Sequence, residues 1–96
     1  MDLESFRRSL ADGNPPEGTD HALRALWHAG RADWDRAHEL VQSAEDRANC
    51  WVHAHLHRVE GDLSNAAYWY RRAGRSIPKG DLQAEWDEIV RSLLGG

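Results

Sequence analysis

The chain carries a single cysteine, Cys50, so no intramolecular disulfide can form. A lone thiol fits a reducing compartment, and the expected location is cytoplasmic. Long apolar runs are also missing. The first twenty residues hold Asp2, Glu4, Arg7 and Arg8 with no stretch of signal-peptide length, and nothing later approaches a membrane span, so no targeting segment and no membrane insertion are expected. An excess of basic charge is absent too: 12 Lys and Arg against 16 Asp and Glu give a formal charge of −4, with no polybasic tail. Nucleic-acid binders present net basic surfaces, so nucleic acid is not an expected partner.

Catalytic motifs are equally scarce. No phosphate-binding loop or dinucleotide fingerprint appears, and no glycine-rich turn surrounds Ser43, Ser64 or Cys50. A nucleophile needs a base and an oxyanion environment. A Cys50–His53 pair in neighbouring turns is the only arrangement that approaches one, so no enzyme and no catalytic residue is expected. No segment alternates β-branched and polar residues as a strand does.

What the chain does have is helical periodicity and six histidines. Ninety-six residues suit one domain with one modest core. Imidazole titrates near neutrality, so protonating all six would carry the formal charge from −4 to +2.

Leu3, Phe6 and Leu10 mark a first helix, broken by Gly13-Asn14-Pro15-Pro16-Glu17-Gly18. Thr19 or Asp20 can cap a second, with Leu23, Leu26, Trp27 and Gly30 on one stripe and Arg24, His28 and Arg31 on another. Asp33 can cap a third, carrying Trp34, Ala37, Leu40, Val41 and Ala44, and the very short break before it forces an antiparallel hairpin. A fourth helix runs from about Asp46 to Glu60 through Ala48, Val52, His55, Leu56 and Val59, and Gly61 ends it. Asp62 caps a fifth with Leu63, Ala66, Ala67, Tyr70 and Ala73. After the linker Ile77-Pro78-Lys79-Gly80, Asp81 caps a sixth with Leu82, Trp86, Ile89, Val90 and Leu93.

The fold expected is therefore all-α, one domain over residues 1–96. Its parts are an N-terminal helix and loop (1–18), a first hairpin (19–45), a second hairpin (46–76) and a C-terminal capping helix (81–94). Sliding the chain on itself by the distance from Asp33 to Asp62 superposes Ala25 on Ala54, His28 on His57, Ala37 on Ala66, Val41 on Tyr70 and Ala44 on Ala73. That is an internal repeat of one helical hairpin.

In the second unit, Gly61-Asp62, Ala66, Tyr70, Ala73 and Pro78 resemble the second half of a tetratricopeptide repeat. Asn65-Ala66-Ala67-Tyr68-Trp69-Tyr70-Arg71-Arg72-Ala73-Gly74 resembles the second helix of a sister class of short helical repeats. The resemblance covers roughly Asp20 to Pro78. It implies two stacked hairpins of a right-handed α-α superhelix, with the first helix of each unit lining a concave, peptide-binding face. In the first helices the pattern departs: Cys50, His53 and His57 align where the family has large apolar residues. With only two units, the first and last helices are expected to cap exposed apolar faces. Self-association through the last helix, by Trp86 and Leu93-Leu94, is the alternative.

Two site expectations follow. The resemblance implies a partner-binding face of Arg24, His28, Arg31, His53 and His57, suited to an acidic peptide or terminal carboxylate because guanidinium binds carboxylate bidentately. An ordinary solvated face would look the same. Tyr68, pointing away from the main face of the fifth helix, is a further candidate for a protein contact. The first expectation is thus a non-catalytic protein-interaction module with no cofactor. The alternative is a metal- or small-ligand-binding protein. Cys50, His53 and His57 fall within about 60° of one another on a helix, with Glu60 nearby, and thiolate and imidazole are ligands for zinc or copper. A single helix gives a row rather than a tetrahedron, so another ligand must come from elsewhere in the fold. His55, on the apolar face, reads as a core histidine bonded to a carbonyl or carboxylate. Trp27, Trp34 and Trp86 read as packing residues, and Trp51 and Trp69 as residues that pair between helices.

Overall fold

In the computed structural model, which describes residues 1–95, every regular element is an α-helix: α1 (Leu3–Ser9), α2 (His21–Gly30), α3 (Trp34–Val41), α4 (Arg47–Glu60), α5 (Leu63–Ala73) and α6 (Leu82–Leu93). Each begins at an aspartate. The carboxylates of Asp2, Asp20, Asp33, Asp46, Asp62 and Asp81 each accept a hydrogen bond from the backbone N–H three residues on. These acceptors satisfy N–H groups that the helix cannot, each contributing about 1 kcal/mol. Asp20, not Thr19, caps α2; the Thr19 hydroxyl donates to the Pro16 carbonyl instead.

The two hairpin turns share one geometry. Asp33 N–H donates to the His28 carbonyl and Asp62 N–H to the His57 carbonyl, both at 2.9 Å. The residue before each aspartate is left-handed, Ala32 at φ 61° and Gly61 at φ 87°. The internal repeat therefore extends to backbone conformation. It extends to packing as well: Ala25 and Ala54, Ala37 and Ala66, and Val41 and Tyr70 are all buried. Alanine at these places lets the paired helices approach closely. Ala44 breaks the correspondence, because α3 stops at Val41.

α4 is the centre of the molecule. It packs on α2, α3, α5 and α6, and every residue from Asn49 to His57 is buried. α6 lies across α2 and α4 with α1 against it, so the chain's own last helix covers the first helices of both hairpins. Trp86 anchors this cap, its indole N–H donating to the Leu26 carbonyl at 2.8 Å. Gly30 permits the approach, since a Cβ there would meet both Leu10 Cδ1 and the Trp86 ring at 3.0 Å. Trp27 similarly donates to the Ser9 carbonyl and Trp34 to that of Leu56. Each tryptophan buries apolar area while its N–H finds a partner.

Three residues expected on packing faces are exposed: Val59, Leu63 and Leu82. All lie in the terminal turns of their helices, beyond the reach of the partner helix. No described helix is long and apolar enough to cross a membrane.

Candidate metal centre

The histidines of α4 meet a histidine of α3. His38 Nε2 stands 3.1 Å from His53 Nε2, and one ligating nitrogen from each of His38, His53 and His57 falls within 4.8 Å of the others. Helical spacing sets up the pair on α4, because residues four apart share a face and the His53 and His57 rings stack at 4.8 Å. The third ring arrives only because α3 packs against α4. Trp34, one turn before His38, stacks on its imidazole at 4.7 Å and 9° and holds it against α4. Trp69 of α5 closes the other side, stacked on His53 at 3.9 Å.

Two features suit this group to a metal. His57 Nδ1 donates to Glu60 Oε1 at 2.6 Å, which fixes the tautomer and leaves Nε2 with its lone pair; metal-bound histidines are commonly oriented by a carboxylate in this way. Zinc–imidazole bonds of about 2.0–2.1 Å in a tetrahedron place ligand nitrogens about 3.3 Å apart. The His38–His53 pair is already near that separation. His53 is also only half served by the protein: it is 3% exposed, Nε2 has the His38 imidazole as its hydrogen-bond partner, and Nδ1 has none among the described residues. A buried polar ring in that state calls for a ligand or a compensating role.

Charge state favours ligation as well. Burial, reinforced by His38 and His57, pushes the His53 pKa down to about 4. Burial and then His57 lower that of His38. Both rings are neutral at pH 7, the form that binds metal. The three imidazoles can hold a borderline divalent cation such as zinc or copper, with the remaining coordination position filled from outside the triad.

Cys50 does not join them. Its side chain is fully buried one turn N-terminal to His53, where the thiol donates to the Glu45 carbonyl at 3.5 Å, and burial pushes its pKa up. Position along the helix explains the miss: Cys50 shares the stripe but sits one turn nearer the start of α4, where it packs against the α3–α4 loop instead of His38. The same packing separates the expected partner face. Arg24 and His28 border a shallow cleft with the 13–18 loop and Arg36. Arg31 donates to the Leu10 and Asp12 carbonyls and covers Trp27. His53 and His57 instead lie under α3 and α5 rather than on an open concave surface, because α4 is enclosed on several sides. Tyr68 is exposed, accepting a hydrogen bond from Arg72 at 3.1 Å. Trp51 is buried under the Arg75 guanidinium.

His38 is the ligand candidate that sequence reasoning missed. Its signal is the four-residue spacing from Trp34, which puts both on one face of α3. Glu85 was missed as well. It is 3% exposed and accepts from His55 Nδ1 at 2.6 Å, Tyr70 Oη at 2.5 Å and Arg58 at 3.1 Å, joining α4, α5 and α6. This confirms His55 as a core histidine bonded to a carboxylate. Burial alone would raise the Glu85 pKa, but the hydrogen bonds from His55 and Tyr70, with Arg58, outweigh it and the net shift is downward. Compared with known protein families, with characterised proteins and with solved structures, the chain matches none.

Proposed function

We propose that this chain is a small metal-binding protein, built on two helical hairpins of the tetratricopeptide-like kind, that holds zinc or copper through His38, His53 and His57. The observation that carries this is the convergence of the three rings from two helices, with Glu60 orienting His57 from behind. The lone buried thiol of Cys50 suits a reducing, cytoplasmic setting.

Thermal unfolding with and without metal tests it. A ligand that binds only the folded state at a hundredfold over its Kd stabilises by about 2.7 kcal/mol, which for a domain of this size raises Tm by about 10 °C or more. Wild-type protein shows that rise with zinc or copper(II), and His57→Ala does not. No response to either metal in the wild type would overturn the proposal.

One observation favours a protein contact in addition. Tyr68 presents an exposed ring braced by Arg72 on the outer face of α5. A partner docking there would leave the histidine centre untouched, and Tyr68→Ala would weaken that contact without changing metal affinity.

A further inference from the structure

A second concavity lies away from the three histidines, where the α2–α3 turn, the C-terminal half of α4 and the start of α6 meet the end of α1. It measures about 480 Å³. Its walls are Leu10, Leu56, Val59, Leu82 and the indoles of Trp34 and Trp86, and one buried polar side chain, His55, contributes to its lining. Small-molecule sites have this size and make-up: apolar walls with a few fixed polar groups that set orientation.

His55 is the group that gives the cleft chemistry. It is 2% exposed, and its Nδ1 is held by Glu85 at 2.6 Å. Glu85 is in turn fixed by Tyr70 and Arg58, so the imidazole cannot swing away. In the neutral ring, with Nδ1 donating to the carboxylate, Nε2 is left as an acceptor, and it has no hydrogen-bond partner among the described residues. The open space that His55 borders is the cleft. Val59 and Leu82, apolar residues at helix ends left exposed by the fold, stand at the same cleft. Among the described residues, the only charged side chain bordering it is Arg7, which is paired with Asp87.

We infer that this cleft binds a small apolar molecule, aromatic or alicyclic, bearing one hydroxyl group that donates a hydrogen bond to His55 Nε2. The walls take the ring system by apolar burial and by contact with the two indoles. The hydroxyl provides selection, because a hydrocarbon of the same shape would cover the His55 nitrogen that faces the cleft and leave it without a donor. A carboxylate or phosphate is a poor fit, since Arg7 is paired with Asp87 and the starts of α3 and α6 at the cleft are already capped by the carboxylates of Asp33 and Asp81.

The test uses 2-naphthol and 2-methylnaphthalene as matched probes, followed by methyl-resolved NMR on the full chain treated with a chelator. Expected are saturable shifts centred on Leu10, Leu56, Val59 and Leu82 with 2-naphthol, and at least tenfold weaker binding of 2-methylnaphthalene. Val59→Glu, a change at an exposed residue that leaves the core intact, should abolish both. His53→Ala, which removes a metal ligand but borders no part of the cleft, should leave 2-naphthol binding unchanged, so the two sites succeed or fail separately. Absence of saturable shifts, equal affinity for the two probes, or undiminished binding to Val59→Glu would each overturn the inference.

Discussion

His38 and His53 face one another Nε2 to Nε2 at 3.1 Å, a contact between helices that no spacing within either helix produces. If that contact is half of a metal centre, His38 matters as much as the α4 pair. His38→Ala should then lose the metal-induced rise in Tm, as His57→Ala does, while Cys50→Ala keeps it. Differential scanning calorimetry with zinc and copper(II) separates these outcomes. Retention in His38→Ala together with loss in Cys50→Ala would place the ligands on α4 alone.

Protonation of His53 gives a pH dependence in the metal-free protein. Its folded pKa of about 4 lies below the ordinary value of 6.5. Between those values the unfolded chain binds a proton that the folded protein refuses, so stability falls as pH drops from 6.5 toward 4, by about 3 kcal/mol for a shift of this size. His38 acts in the same direction. Urea unfolding in the presence of a chelator should show this slope, and His53→Leu should flatten most of it.

Glu85 acts in a lower window and with different partners. Its pKa is depressed in the folded state, so its contribution is complete above the unfolded carboxylate value of about 4.3 and is lost as pH falls through the folded value. Replacing it also leaves His55, Tyr70 and Arg58 facing a neutral group in a buried place. Glu85→Gln should therefore cost about 3 kcal/mol at pH 7. The deficit relative to wild type should be constant above the ordinary carboxylate range and shrink as pH falls below it toward the depressed folded value, as chemical denaturation across the acid range would show.

Ala32 offers a test of the repeat itself. It adopts φ 61° in the turn where the second unit has Gly61 at φ 87°. A left-handed residue with a Cβ is strained by about 1–2 kcal/mol, partly offset in glycine by its greater unfolded-state freedom. Ala32→Gly should stabilise the protein by about 0.5–1 kcal/mol, measured as an increase in the denaturation midpoint at unchanged slope.

The helices were legible because each start is marked by an aspartate and most apolar stripes are regular; His55 was legible because it interrupts such a stripe. Convergence between helices was not. Whether His38 meets His53 depends on how α3 crosses α4, and Trp34 and Trp69 set that geometry from two different helices. Cys50 looked equivalent to His53 because a helical wheel ignores what each position packs against. Glu85 carried a faint signal: it stands three residues after Leu82 and four before Ile89, in register with the apolar face of α6, where a carboxylate needs buried donors. The separation of His53 and His57 from Arg24 and His28 was hidden for a related reason, since nothing local in the sequence says that α3 and α5 close over this stripe of α4.

Elemental analysis of protein purified without a histidine tag measures metal binding by His38, His53 and His57 itself. Wild-type protein should carry, or take up on reconstitution and dialysis, close to one equivalent of zinc or copper per chain, and His38→Ala should carry almost none. Wild-type protein that retains no metal after reconstitution, or His38→Ala that retains a full equivalent, would contradict it.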